Sequence, residues 1–193
     1  MPRSTANPAS GSATTYRFAL VRTDVRSLVG SVLMGVLMVL IVGLGDRIDA
    51  SLTGGAFPIF GGIAWATTMA LSVMLFGLPG AFIAGEIQAI MDLAFGVPLA
   101  PAFFFANGLG PVVFALISHR LSMQSRLHYL WALIPSVVVG NACVAAYLIV
   151  IFDLPRVAIT LSTAGVVVVS VSVSALTVRP LVRAIYRSRI LGR

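Results

Sequence analysis

Two acids, Glu86 and Asp92, stand in an otherwise apolar stretch between about residues 79 and 95. A carboxylate near the middle of a bilayer costs about 2.5–3.5 kcal/mol on insertion scales, so such residues usually face a cavity, a partner or a substrate. The two acids are six positions apart and fall on different faces of a helix, whereas Gln88 and Asp92 are four apart and share a face. We expect Glu86 to contact a ligand or a neighbouring helix. Asp92 is expected at a helix seam or at the membrane–water boundary.

Further polar and aromatic residues at membrane depth are candidates for the same site. Asn107, Asn141 and Tyr147 converge with Glu86 if the helices that carry them adjoin, although asparagine also joins membrane helices by hydrogen bonds. Trp65 and Phe104 offer flat surfaces for an aromatic ligand, with packing in the bundle or an interfacial belt as the alternative. The predicted substrate-binding residues are therefore Glu86, Trp65, Asn107, Phe104, Asn141 and Tyr147.

Motifs for other chemistry are missing from the sequence. It contains no GxxxxGK[ST] phosphate loop, no HExxH metal motif and no GxSxG nucleophile. The single cysteine and the two histidines do not form a metal-binding pattern. We predict no catalytic residue, no metal and no cofactor bound by this chain, so any ATP hydrolysis that it uses belongs to another subunit.

The elements that must position these residues are membrane helices. Hydrophobic residues make up 59% of the 193 residues and charged residues only 10%, far below the roughly 25% of a soluble domain. Apolar runs of about 20 residues, bounded by charges or by proline and glycine, mark membrane spans. They predict an all-α, six-helix membrane bundle with spans at about 28–45, 57–77, 80–96, 102–118, 130–152 and 157–178.

The arginines predict the orientation of this bundle. All 13 basic residues are arginine, and only Arg47 and Arg156 fall in loops on the side opposite to the other 11. Positive residues favour the cytoplasmic side, so both termini are predicted to be cytoplasmic in a multi-pass protein of the cell membrane. Residues 1–15 are expected to be a disordered cytoplasmic tail and 16–193 a single membrane domain. Because these arginines flank spans without interleaved aromatics, a lipid surface explains them better than nucleic acid does.

A stripe of small residues runs along the first span at Ser27, Ser31, Gly35 and Gly43. Small residues let another helix approach closely, either inside the bundle or from a partner subunit. In the second case Ser31 and Gly35 form a docking face. The following segment, 46–55, is predicted to be an external loop that serves as a lid or as a plain connector.

The segment with Pro79-Gly80-Ala81, Glu86-Ile87, Ala89, Gly96, Pro98, Pro101 and Gly108-Leu109-Gly110 resembles the substrate-binding S components of energy-coupling factor (ECF) transporters. The likeness is to the thiamine/hydroxymethylpyrimidine, YkoE-like, type and covers about residues 55–117. It implies a six-helix protein that captures a vitamin or its precursor outside the cell and works with a transmembrane coupling subunit and two cytoplasmic ATPases. It also implies that Glu86 contacts the ligand.

Two other functions stay open from the residues themselves. In a proton-coupled small-molecule carrier, Glu86 and Asp92 would relay protons. In a non-transport scaffold subunit, the small-residue stripe and the arginine-rich C-terminal segment would bind other proteins.

Overall fold

A computed structural model describes residues 20–53, 58–121 and 125–187, and these residues are helical without any strand. All five helices are long and apolar enough to cross a membrane. This result confirms the predicted all-α class, and the length and composition of the helices agree with the predicted membrane protein. The helices are α1 (Val25–Thr53), α2 (Ile59–Ala94), α3 (Ala100–Arg120), α4 (Arg126–Ile151) and α5 (Arg156–Arg187).

Helix α2 is divided into two arms at Gly77. The backbone there has φ 76° and ψ −171°, a conformation that is essentially restricted to glycine. Pro79 follows two residues later, where its missing N–H is tolerated in the first turn of a new helix. The predicted spans 57–77 and 80–96 correspond to the two arms of α2, 59–76 and 78–94, which meet at this break. Six membrane crossings stay a prediction.

The first arm of α2 packs along α1 from end to end. At its start, the Asp49 carboxylate accepts hydrogen bonds from the backbone N–H groups of Phe60 and Gly61, at 3.0 and 2.9 Å. At its other end, the Phe76 ring fills the space beside Gly30, where a Cβ would lie 2.5 Å from the ring. The end of α1 thus meets the start of this arm, and the two helices are antiparallel.

The second arm returns along α1 in the opposite sense. Gly80 lies against Ser31, and Gly35 lies against the carbonyl of Ala84 and the side chain of Ile87, with Cβ approaches of 2.4 and 2.9 Å. Residue numbers increase in the same direction on α1 and on this arm, so these two helices are parallel. Since the first arm is antiparallel to α1, the two arms of α2 run antiparallel to each other. Ser31 and Gly35 are buried in this contact. The small-residue stripe is used here inside the chain, and docking of a partner on these residues stays a prediction.

Residues that precede α1 satisfy backbone groups at the Gly77 break. The Leu78 N–H donates to the Leu20 carbonyl at 2.9 Å, and the Arg22 guanidinium donates to the Leu75 carbonyl at 2.8 Å. Helix termini leave such groups without intrahelical partners, and a buried polar group without a partner is costly. The chain before α1 therefore stabilises the reversal.

The first arm of α2 lies at the centre of the bundle, where most of its side chains are buried. Helices α3 and α4 are joined by the Ser136 hydroxyl, which donates to the Gly110 carbonyl at 2.6 Å. Helices α4 and α5 are joined by the Tyr129 and Ser174 hydroxyls, 3.2 Å apart. Gly62 of the central arm lies against Val166 and Ser170 of α5. These contacts place α3, α4 and α5 around the central arm.

Helix α1 is longer than the span predicted for it. It continues to Thr53, so residues 46–53 of the predicted external loop are helical, and residues 54–57 lie outside the described part of the chain. The extended part of α1 carries Asp49, whose carboxylate accepts two hydrogen bonds at the start of α2. The predicted tail at 1–15 also lies outside the described residues.

Candidate functional site

Trp65 and Asn107 are brought together in the centre of the bundle. The indole N–H of Trp65, on the central arm, donates to the Asn107 side-chain carbonyl of α3 at 2.6 Å. The tryptophan is 9% exposed and the asparagine 1% exposed. A tryptophan buried in an apolar bundle needs a partner for its N–H, and Asn107 supplies it.

The polar contacts continue from Asn107 to the second arm of α2. The Asn107 side-chain amide donates to the Gly85 carbonyl at 2.7 Å and to the Gln88 side-chain carbonyl at 2.9 Å. The Gln88 amide in turn donates to the Asp92 carboxylate. We call Trp65, Asn107, Gln88 and Asp92 the buried polar chain. It links three helical segments and satisfies the polar groups of Asn107 with protein partners.

Glycines allow the close helix packing that the buried polar chain requires. A Cβ at Gly140 of α4 would lie 2.2 Å from the Trp65 ring, and a Cβ at Gly110 of α3 would lie 3.1 Å from it. On the second arm, a Cβ at Gly85 would approach the Asn107 Cβ to 2.7 Å. The Trp65 ring therefore occupies space that side chains at Gly140 and Gly110 would fill, and Asn107 occupies the corresponding space at Gly85.

Carboxylates converge where the buried polar chain ends at Asp92. The Asp46 carboxylate lies so close to Gly61 that a Cβ on the glycine would clash with it, and Asp49 bonds the same glycine. Asp92 is near enough to Asp46 for their charges to repel. Among the residues that the structure describes, no group of three or more His, Cys, Asp or Glu side chains is arranged to hold a metal ion.

Glu86 lies apart from the buried polar chain. Its i−4 and i+4 neighbours, Phe82 and Ile90, are 45% and 54% exposed, so the glutamate is on the outward-facing side of the second arm. It borders α3 at Gly108, where a Cβ would lie 3.8 Å from the Glu86 Oε1. Within the described part of the chain, no hydrogen bond or ion pair involves its carboxylate. Glu86 is therefore a partly exposed acid at the seam between α2 and α3.

The other predicted site residues are placed separately. Asn141 donates to the Val137 carbonyl of its own helix at 2.9 Å. The Tyr147 ring packs edge-to-face on Phe152, with centroids 5.8 Å apart. Phe104 is partly buried on α3. The structure thus joins only Trp65 and Asn107 directly, and a ligand role for each predicted residue stays a prediction.

Sequence reasoning missed two parts of this arrangement. The shared face of Gln88 and Asp92 was predicted and their hydrogen bond confirms it, but the link to Trp65 through Asn107 was not foreseen. From the sequence, Asp49 was assigned to a loop. Its role at the start of α2 could not be foreseen, because an acid ten to twelve residues before a helix start carries no local capping signal. Only the three-dimensional reversal of the chain brings these partners together.

Comparison of the chain with protein-family models, with curated proteins and with solved structures finds no match.

Proposed function

We propose that this chain is the substrate-capturing membrane component of an ECF-type vitamin importer, with thiamine or its hydroxymethylpyrimidine precursor as ligand. The sequence resemblance over about residues 55–117 suggests it, and the five membrane-length helices are compatible with it. The chain would supply binding, and a coupling subunit with two ATPases would supply the energy.

We further propose that each arm of α2 crosses the bilayer, which gives six crossings with both termini cytoplasmic. The antiparallel arms support this topology, because their reversal at Gly77 lies beside Leu20 and Arg22. The opposite end of the bundle carries Asp46 and Asp92. The excess of arginine at the end that carries Arg22 follows the positive-inside rule.

The observation that carries the proposal is the contrast between the two acids of the second arm. Asp92 is 8% exposed and accepts a hydrogen bond from Gln88, so it is already part of the protein framework. Glu86 is more exposed and has no such partner among the described residues. A carboxylate at membrane depth without a protein partner is suited to bind a donor on a ligand. The exocyclic amine of a pyrimidine is such a donor.

The remaining predicted residues differ in whether their side chains already have protein partners. Trp65 and Asn107 use their polar groups on each other, so we propose that they fix the helices around the ligand. Phe104 and Tyr147 retain aromatic surface that is partly accessible and are the better candidates for stacking on a ring.

Equilibrium binding to the purified full chain tests this function. The panel comprises thiamine, hydroxymethylpyrimidine and vitamins without an aminopyrimidine, such as biotin and riboflavin. We expect saturable binding of thiamine or hydroxymethylpyrimidine and no saturable binding of biotin or riboflavin. Lack of saturable binding across the panel would refute the proposal and leave the carrier and scaffold alternatives.

A proton-coupled carrier is the second candidate, and one observation favours it. The repelling carboxylates of Asp46 and Asp92 stand at one end of the buried polar chain, an arrangement that could hold a proton. A carrier of this kind transports without any partner. Uptake driven by a pH gradient into vesicles that contain this chain alone would favour it over the importer component.

A further inference from the structure

The seam between the second arm of α2 and helix α3 brings an aromatic ring and a carboxylate to one glycine. A Cβ at Gly108 would lie 3.5 Å from the Phe82 Cε2 and 3.8 Å from the Glu86 Oε1. Apart from the neighbours of Gly108 in the chain, no other described atom lies within 4 Å of that position. Phe82 and Glu86 are four residues apart, about 6 Å along the helix axis, and share one face of the arm. Gly108 therefore forms the floor of a groove between a ring and a carboxylate.

This groove opens on the outer surface of the bundle. Phe82 and Ile90, four residues to either side of Glu86, are 45% and 54% exposed. On α3, Phe105 is 65% exposed and Leu109 is 48% exposed. Exposed apolar side chains grouped in this way mark a surface that meets lipid, a partner or a ligand. The groove is thus open laterally, toward the bilayer.

The Glu86 carboxylate decides which occupant fits the groove. Within the described part of the chain, neither a hydrogen bond nor an ion pair engages this carboxylate. An acid at membrane depth is costly unless it is paired, and lipid tails supply no donor. An occupant with a positively charged or donor nitrogen beside a flat apolar group satisfies both the carboxylate and the Phe82 ring.

We propose that Phe82, Glu86 and Gly108 form a laterally open binding site for a planar aromatic ring that carries an amino or cationic nitrogen. The nitrogen binds the Glu86 carboxylate, the ring lies against the Phe82 ring, and Gly108 leaves room for both. In the vitamin importer proposed above, on which this site rests, Phe82 and Gly108 would select the ring while Glu86 binds its nitrogen.

Equilibrium binding of thiamine and hydroxymethylpyrimidine to variants of the full chain tests this selection. Phe82→Leu keeps an apolar side chain and removes the ring, so we expect the dissociation constant to rise roughly 2-fold to 30-fold. Gly108→Leu fills the groove and should raise it roughly 10-fold or more, with Gly108→Ala between this variant and the wild type.

Two matched controls carry the same substitutions away from the seam. Phe60→Leu is on the other arm of α2 at a position that is 43% exposed, and Gly165→Leu is on α5, where a Cβ meets no atom within 4 Å. Both should bind like the wild type. Unfolding free energies are measured on the same preparations, so that loss of folding is not mistaken for loss of binding. Wild-type affinity in a folded Phe82→Leu protein would overturn the proposal even where Gly108→Leu fails to fold.

Modification by dicyclohexylcarbodiimide tests the seam without any assumption about a vitamin. This hydrophobic reagent enters the bilayer and adds to a protonated carboxyl group, and the O-acylisourea that forms rearranges to a stable N-acylurea without loss of atoms. We expect mass spectrometry to locate the adduct on Glu86. Asp92 should stay unmodified, because it is 8% exposed and accepts a hydrogen bond from Gln88. Glu86→Gln gives the background.

Protection from this reagent separates the ring from the charge. Benzyltrimethylammonium carries an aromatic ring and a positive charge, whereas tetramethylammonium carries the charge alone. We expect the aromatic cation to protect Glu86 at a concentration roughly 2-fold to 30-fold lower, and the difference to vanish in Phe82→Leu. Equal protection by the two cations in the wild type, or a Glu86 that the reagent does not modify, would overturn the proposal.

The two experiments distinguish a failure of the site from a failure of the vitamin assignment. Protection by the aromatic cation through Phe82, without binding of thiamine or hydroxymethylpyrimidine, would refute the importer and support the site. Saturable vitamin binding that is unchanged in folded Phe82→Leu and Gly108→Leu proteins would support the importer and refute the site. Modification of Glu86 in the purified chain but not in washed native membranes would show that a partner helix covers the seam, which contradicts an open ligand site.

Discussion

Replacing Asn107 by alanine removes the central member of the buried polar chain. The change leaves the Trp65 N–H and the Gln88 side-chain carbonyl without the partners that they have at 2.6 and 2.9 Å. The Gly85 carbonyl loses a further hydrogen bond, at 2.7 Å. Hydrogen bonds between membrane helices are worth about 0.6 kcal/mol each on average, with a maximum of about 1.7. We therefore expect the free energy of unfolding to fall by about 1–3 kcal/mol, with the higher value favoured by near-complete burial.

Reversible unfolding by sodium dodecyl sulfate in mixed lipid–detergent micelles measures this loss. Asn141→Ala is the matched control, because the same substitution there removes only a bond to the Val137 carbonyl within one helix, at a half-buried position. We expect it to cost less than about 0.5 kcal/mol, the range of ordinary surface changes. Trp65 emission should shift to shorter wavelength in the Asn107 variant under native conditions, because the buried indole N–H loses its polar hydrogen-bond acceptor.

The reasoning would be refuted by equal unfolding free energies for the two alanine variants. An Asn107→Ala protein that is fully stable yet binds ligand more weakly would instead place Asn107 in direct contact with the ligand. The two outcomes differ in their readouts, so stability and binding must be measured on the same preparations.

Three further perturbations act on other parts of the framework. Gly140→Ala should destabilise the bundle by about 1–3 kcal/mol, because a Cβ would lie 2.2 Å from the Trp65 ring. Gly165→Ala, at a position with no atom within 4 Å, should be tolerated in the same unfolding assay. Asp49→Ala should cost about 1–2 kcal/mol as the cap of α2, and hydrogen exchange of the first α2 amides should accelerate, whereas Asp49→Asn should retain part of the protection. Gly77→Ala should cost about 1–3 kcal/mol because φ is 76° there, and unchanged stability would argue against the reversal.

The helical class and most helix positions follow from the sequence, because apolar runs of membrane length are a strong and local signal. Proline and glycine marked the break near residue 77 correctly as an interruption. The backbone angles of Gly77 lie outside the helical region and agree with that prediction.

The candidate site is less predictable because its contacts are distant in sequence. Gln88 and Asp92 lie four residues apart, so their hydrogen bond follows from helix geometry. Asn107 bonds to Trp65, which lies 42 positions earlier in the sequence. Asp49, on α1, bonds to the backbone at the start of α2. Neither pairing has a local pattern, and glycines at the contacts indicate close packing without indicating the partner.

The most direct test of the importer function compares Glu86→Gln with Asp92→Asn in equilibrium binding of hydroxymethylpyrimidine and thiamine. Both substitutions remove one negative charge from the same arm of α2 and retain the shape of the side chain. A hydrogen bond to a charged group is worth about 1.5–3 kcal/mol, so we predict that Glu86→Gln raises the dissociation constant roughly 10-fold to 150-fold. Asp92→Asn should change it less than about threefold while it alters stability. Equal effects of the two substitutions, or a larger effect of Asp92→Asn, would contradict the assignment of Glu86 to the ligand.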